Sequence, residues 1–77
     1  MEIKTKLGLR IKALREMASM SQKDLAYSAD LDRSYIASVE SGKRNVSIVN
    51  IEKISSALGV TVKEFFYDGS FDEKKEL

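Results

Sequence analysis

At 77 residues, 43% of them hydrophobic and 32% charged, the chain is one domain by length, and folding buries only roughly 60% of the surface that an unfolded chain of this size exposes. It has no cysteine and no histidine, which excludes a disulfide framework and the usual zinc ligands and leaves oligomerisation as the way to reinforce a small core. The net charge of +1 is unevenly divided, with −2 on the last ten residues and +3 on the rest, a mild excess that permits nucleic-acid binding without demanding it.

The first residues, Met-Glu-Ile-Lys-Thr-Lys, lack the apolar stretch of a signal peptide, and no apolar run approaches the roughly 20 residues that cross a bilayer. The expectation is a cytoplasmic protein with no membrane role. Leu7, Ile11, Leu14 and Ala18 recur at steps of four, three and four among Arg10, Lys12, Arg15 and Glu16, the period of an amphipathic first helix. Ser21 then offers a cap, Asp24 stands three residues on in place of the Glu or Gln of a capping box, and Leu25 and Ala26 give a second helix its buried face to about Ala29. Asp30-Leu31 is too short for a loop of its own. Asp32 is an N-cap type, followed by Ile36 and Val39 at helical spacing and closed by Gly42, so a short third helix is expected.

Lys43-Arg44-Asn45 is a polar connection. Val46 to Val49 alone would pass for a strand, but Ser47 caps a fourth helix that carries Ile51, Ile54 and Leu58 on one face and stops at Gly59. Thr61 and Glu64 form a complete capping box, with Val60 and Phe65 as its hydrophobic staple, and start a fifth helix that ends near Tyr67. Beyond it only Phe71 and Leu77 are apolar, too few to offset the entropy of ordering the chain. The organisation expected is therefore an all-α domain of five helices over residues 1–67 and a flexible tail over 68–77.

Two short helices joined by a tight turn place the second across the first, and the major groove of B-DNA, roughly 12 Å wide, admits one such helix. The third helix offers Arg33, Ser34, Ala37 and Ser38. Arginine grips guanine O6 and N7 with two hydrogen bonds, serine pairs with any base, and an alanine methyl suits a thymine methyl. The same residues are also ordinary solvated positions on a helical bundle.

The linked blocks Ser21-Gln22-Lys23-Asp24-Leu25-Ala26, Ile36, Glu40-Ser41-Gly42-Lys43-Arg44 and Ala57-Leu58-Gly59-Val60 separate these alternatives. Together they resemble the helix-turn-helix domain of phage repressor and Cro proteins, the Xre family, from the first helix through Phe66. The resemblance implies a lambda-repressor-like fold in which Arg33, Ser34, Ala37 and Ser38 face base edges. It implies that Gln22 and the connection Lys43, Arg44 and Asn45 hold the DNA backbone. It also implies a structural salt bridge between Arg15 and Glu40 that seats the third helix on the first. Asp30 stands where the family often has glycine, and a positive φ there is tolerable for aspartate. Tyr35 has two readings, a contact with the DNA backbone or a ring packed beside the core with its hydroxyl wet.

One short helix reads few base pairs, so useful discrimination requires a second copy on the next turn of DNA. Ile48, Val49, Val62 and Phe66 exceed what one core face needs and are the candidate homodimer interface; the alternative is that Ile48 and Phe66 complete the monomer core. Asp24-Leu25-Ala26-Tyr27 and Leu31-Asp32-Arg33-Ser34-Tyr35-Ile36 are similar to the controller proteins of restriction-modification systems. That similarity implies a homodimer on operator DNA ahead of its own gene, activating at low occupancy and repressing at high occupancy; an acidic face with Glu16, Asp24 or Glu40 would offer RNA polymerase a contact as a further partner, against the plainer reading of these carboxylates as solvated surface. A phage-type repressor or an antitoxin is the alternative within the class, and a helical protein-interaction module without DNA binding the alternative outside it. Catalysis is not expected: Gly42-Lys43 lacks the glycine five residues earlier and the following Ser or Thr of a phosphate loop, and Asp30 and Asp32 sit where caps belong. No metal and no cofactor are expected.

Overall fold

A computed structural model describes residues 2–72. Five α-helices follow one another, α1 (Ile3–Met17), α2 (Gln22–Ala29), α3 (Arg33–Glu40), α4 (Ile48–Ala57) and α5 (Val62–Phe66), with a 3-10 turn at Gly69–Phe71 and no strand among the described residues. The Val46–Val49 stretch is not extended throughout, because Ser47 Oγ accepts from the Asn50 N–H at 3.1 Å and starts α4 at Ile48.

Local chemistry sets most boundaries. Both capping boxes are closed: the Asp24 N–H donates to Ser21 Oγ at 3.0 Å and the Ser21 N–H to the Asp24 carboxylate at 2.9 Å, and in the second box the Glu64 N–H donates to Thr61 Oγ1 at 3.0 Å and the Thr61 N–H to the Glu64 carboxylate at 2.9 Å. These backbone donors, followed by the Ser21 and Thr61 hydroxyls, hold the Asp24 and Glu64 carboxyls below their ordinary pKa. Asp32 occupies the N-cap position of α3, but its exposed carboxylate accepts no capping bond and is left to solvent.

The core joins Leu7, Ile11 and Leu14 of α1 to Leu25, Ala26 and Ala29 of α2 and Ile36 and Val39 of α3, and on to Ile51, Ile54, Leu58 and Phe65. Burying each large member contributes about 1.5–3 kcal/mol. α3 packs on α1 and α2, and α4 on α2 and α5. α5 has only five residues and is held from outside itself: the Arg10 guanidinium donates to the carbonyls of Phe65 at 2.7 Å, Glu64 at 3.0 Å and Tyr67 at 3.3 Å. A cation at a helix C-terminus satisfies carbonyls that have no partner within the helix.

The expectation of a loose chain from Asp68 differs from what is found over its first residues. Asp68 accepts from the Ser70 hydroxyl and N–H and lies 3.8 Å from Arg10, and the Phe71 ring meets Phe66 edge-on at 5.1 Å. A cation from distant α1 and an aromatic from the end of the preceding helix supply contacts that the local composition lacks. Residues 73–77 of the expected tail lie outside the described residues.

Candidate nucleic-acid interface

The α2–α3 turn is closed by Asp30 in the left-handed region (φ 57°, ψ 48°). Its N–H donates to the Tyr27 carbonyl at 3.2 Å and the Leu31 N–H to the Ala26 carbonyl at 2.9 Å, the double closure of a Schellman turn. Aspartate takes this conformation at lower cost than bulkier residues, which is how the turn forms without glycine.

Three features seat α3. Ile36 and Val39 are buried to 0% and 1% exposure. Gly8 of α1 lies so close to the end of α3 that a Cβ there would stand 2.5 Å from the Val39 carbonyl oxygen and 2.7 Å from that of Glu40. Glu40 accepts from Arg15 Nε at 2.6 Å and from its second terminal nitrogen at 3.0 Å, while the remaining one donates to the Met20 carbonyl at 2.8 Å. The side chains of this pair are only 12% and 5% exposed, and the hydrogen bond that Arg15 donates to Glu40 raises its already high pKa against the opposing effect of burial.

On the outer side of α3, Arg33 and Ser34 are exposed in its first turn, and Ala37 and Ser38 are half-buried one turn on. The Ser38 hydroxyl donates to the Tyr35 carbonyl at 2.8 Å, so its proton is engaged and its lone pairs remain to accept. Lys43, Arg44 and Asn45 follow α3 and are all exposed. Gln22, the first residue of α2, is half-buried, and its amide donates to Glu40 at 3.1 Å. It is thereby tied to the Arg15–Glu40 pair.

Tyr35 sits between the core and the connection after α3, with its hydroxyl bonded within the protein. Its ring packs partly against the core, the Arg44 guanidinium lies over it at 5.1 Å from the centroid, and its hydroxyl accepts from Asn50 Nδ2 at 3.0 Å. Sequence reasoning missed Asn50, since nothing local to it points at a residue fifteen positions earlier. Gly8 was missed too, although it did carry a signal: a glycine inside an otherwise good helix costs about 1 kcal/mol and marks a close approach.

The four residues of the candidate interface between copies divide. Ile48 and Val49 are 66% and 60% exposed in the first turn of α4. Val62 is half-buried. Phe66 packs against the core, with its ring between Phe65 at 5.0 Å and Phe71 at 5.1 Å, so part of its surface serves the monomer. Phe66 also joins Ile3, Leu7, Val46 and Ile51 in an apolar groove rimmed by Lys4, Arg44 and Asn45.

Among the described residues no cluster of acidic side chains can hold a metal ion, and no helix is long and apolar enough to cross a membrane.

Known proteins share this architecture. The helix-turn-helix family model matches residues 11–65. Control protein C.MunI of a Mycoplasma species is 52% identical over 68 residues, covering 87% of this chain and 92% of that protein. The crystal structure of the restriction-modification controller protein C.AhdI from Aeromonas hydrophila superimposes with a TM-score of 0.79 at 46% identity, covering 82% of this chain and 96% of that one. The controller protein C.Esp1396I, as a tetramer in complex with its natural 35 base-pair operator, superimposes with a TM-score of 0.78 at 40% identity, covering 82% and 83%. The chain belongs to the helix-turn-helix family of Xre-type regulators and, within it, to the restriction-modification controller proteins.

Proposed function

We propose that the protein is a sequence-specific, DNA-binding transcriptional regulator that controls a restriction-modification system, acting as a homodimer in the cytoplasm on an operator ahead of its own gene. The observation that carries this reading is the first turn of α3. Arg33 and Ser34 project from it into solvent, while the opposite side of the same helix is clamped by Gly8, Ile36, Val39 and the Arg15–Glu40 pair. A base-reading side chain discriminates only if the rod that bears it is rigid.

In this reading Arg33 takes guanine O6 and N7, Ser34 and Ser38 pair with base edges and the Ala37 methyl meets a thymine methyl. Gln22, Tyr35, Lys43, Arg44 and Asn45 hold the backbone and set the register. Ile48, Val49, Val62 and the outer part of Phe66 join two copies. The operator-bound tetramer of the related C.Esp1396I supports action by several copies together. Low occupancy activates, through contact with RNA polymerase, and high occupancy represses.

Footprinting of the purified protein on its own upstream DNA across a concentration series tests the reading. Two protected half-sites per dimer with centres about 34 Å apart are expected. Arg33→Ala is expected to relax base preference at one position by about 1–3 kcal/mol, and Arg44→Ala to lower the slope of log affinity against log salt by about 1 without changing preference. Equal affinity for operator and scrambled DNA would sink the proposal.

A further inference from the structure

Building on the regulator reading, we propose that Asn50 is a positioning residue for operator binding: from the first turn of α4 its side-chain amide anchors the Tyr35 hydroxyl, and the ring so held is the platform on which Arg44 lies. The three residues come from three separate pieces of chain, α4, α3 and the connection between them, and they meet through a 3.0 Å hydrogen bond and a guanidinium 5.1 Å from the ring centroid. The capping of α4 does not need the Asn50 side chain, because the bond to Ser47 Oγ uses its backbone N–H.

Two consequences follow from the chemistry of this contact. Arg44 is exposed and carries a long, rotamer-rich side chain, so a ring that already orients its planar fork lowers the ordering cost of gripping a phosphate. The Tyr35 oxygen accepts from Asn50, which leaves the phenol's own proton to be donated outward, towards a phosphate oxygen, from a hydroxyl polarised by the bond it accepts. Asn50 therefore acts on DNA through Tyr35 and Arg44 rather than by touching it.

A double-mutant cycle on operator binding by the full chain tests this. Asn50→Ala is expected to weaken operator affinity about two- to fivefold, the affinity equivalent of an exposed cation–π contact. The same substitution is expected to cause no further loss in a Tyr35→Phe background, and a smaller loss than in the wild type in an Arg44→Ala background, where only the Tyr35 hydroxyl remains for Asn50 to act through. Thermal melts and sedimentation of each variant should match the wild type; if Asn50→Ala perturbs either one, Asn50→Thr removes the amide donor with less loss of volume and takes its place in the cycle. An unchanged affinity, or losses that simply add in both backgrounds, would overturn the role of Asn50 while leaving the regulator reading intact. Failure of the wild-type protein to select its upstream DNA would overturn both.

Discussion

The Glu40 side chain is only 5% exposed and shares its two oxygens between donors from two other helices, Arg15 of α1 and Gln22 of α2. Arg15→Ala strands that carboxylate with a single neutral partner. Removing one member of a fully buried pair costs about 3–5 kcal/mol; this part-buried pair costs less, but still a sizeable share of the about 5–15 kcal/mol that holds such a domain together. The expected outcome in equilibrium urea unfolding is a midpoint far below the wild type. Arg15→Lys should recover only part of it, because an ammonium has no planar fork to match the carboxylate; a wild-type midpoint for Arg15→Ala would refute the argument. At this scale the sequence was informative about residue type and poor about partners. Arg15 and Glu40 are 25 positions apart, and their pairing was expected only through the resemblance to a family. The link from Gln22 to Glu40, which adds α2 to the same junction, and the link from Asn50 to Tyr35 had no local sign at all.

Helix boundaries were legible because they rest on contacts between residues three or four apart. Ser21 with Asp24, and Thr61 with Glu64, are written in the chain and are closed in the fold. What holds one helix against another is less visible. α1 crosses the end of α3 at Gly8, where an added Cβ would meet the carbonyl oxygens of Val39 and Glu40 and the Glu40 carbonyl carbon, at 2.5, 2.7 and 2.9 Å. These are backbone atoms that no side-chain rotation can move away. Gly8→Ala therefore sets a gain in helix propensity of about 1 kcal/mol against an overpacking cost of about 1–3 kcal/mol. The backbone location of the clash puts the cost above the gain. The expected result is a lower melting temperature together with weaker operator binding, since α3 must shift. A higher melting temperature in a calorimetric scan would mean that propensity wins and the crossing is looser than it looks. The 3-10 turn at Gly69–Phe71 makes the same point: its own composition argues for a loose chain, and Arg10 and Phe66 from other elements order it.

For the whole molecule, the burial pattern separates what completes one subunit from what is left over. Ile48 and Val49 are the first two residues of α4 and are mostly exposed, so the monomer core does not account for them. Ile48→Asp is a clean test of the proposed dimer, because an acidic residue in the first turn of a helix is favourable and the monomer loses little packing. Sedimentation is expected to show monomer for the variant at concentrations where the wild type is dimeric, with operator affinity falling in step; a variant that remains dimeric would move the interface elsewhere. The sequence by itself determined the five helices, the caps at Ser21, Ser47 and Thr61 and the buried stripe, because each of these depends on period and on neighbours a turn apart. Only the tertiary structure decided how closely α1 crosses α3, how Arg10 closes α5, and that Asn50, Tyr35 and Arg44 meet, because such contacts depend on where distant segments come to lie, and one chain read alone carries no term for that.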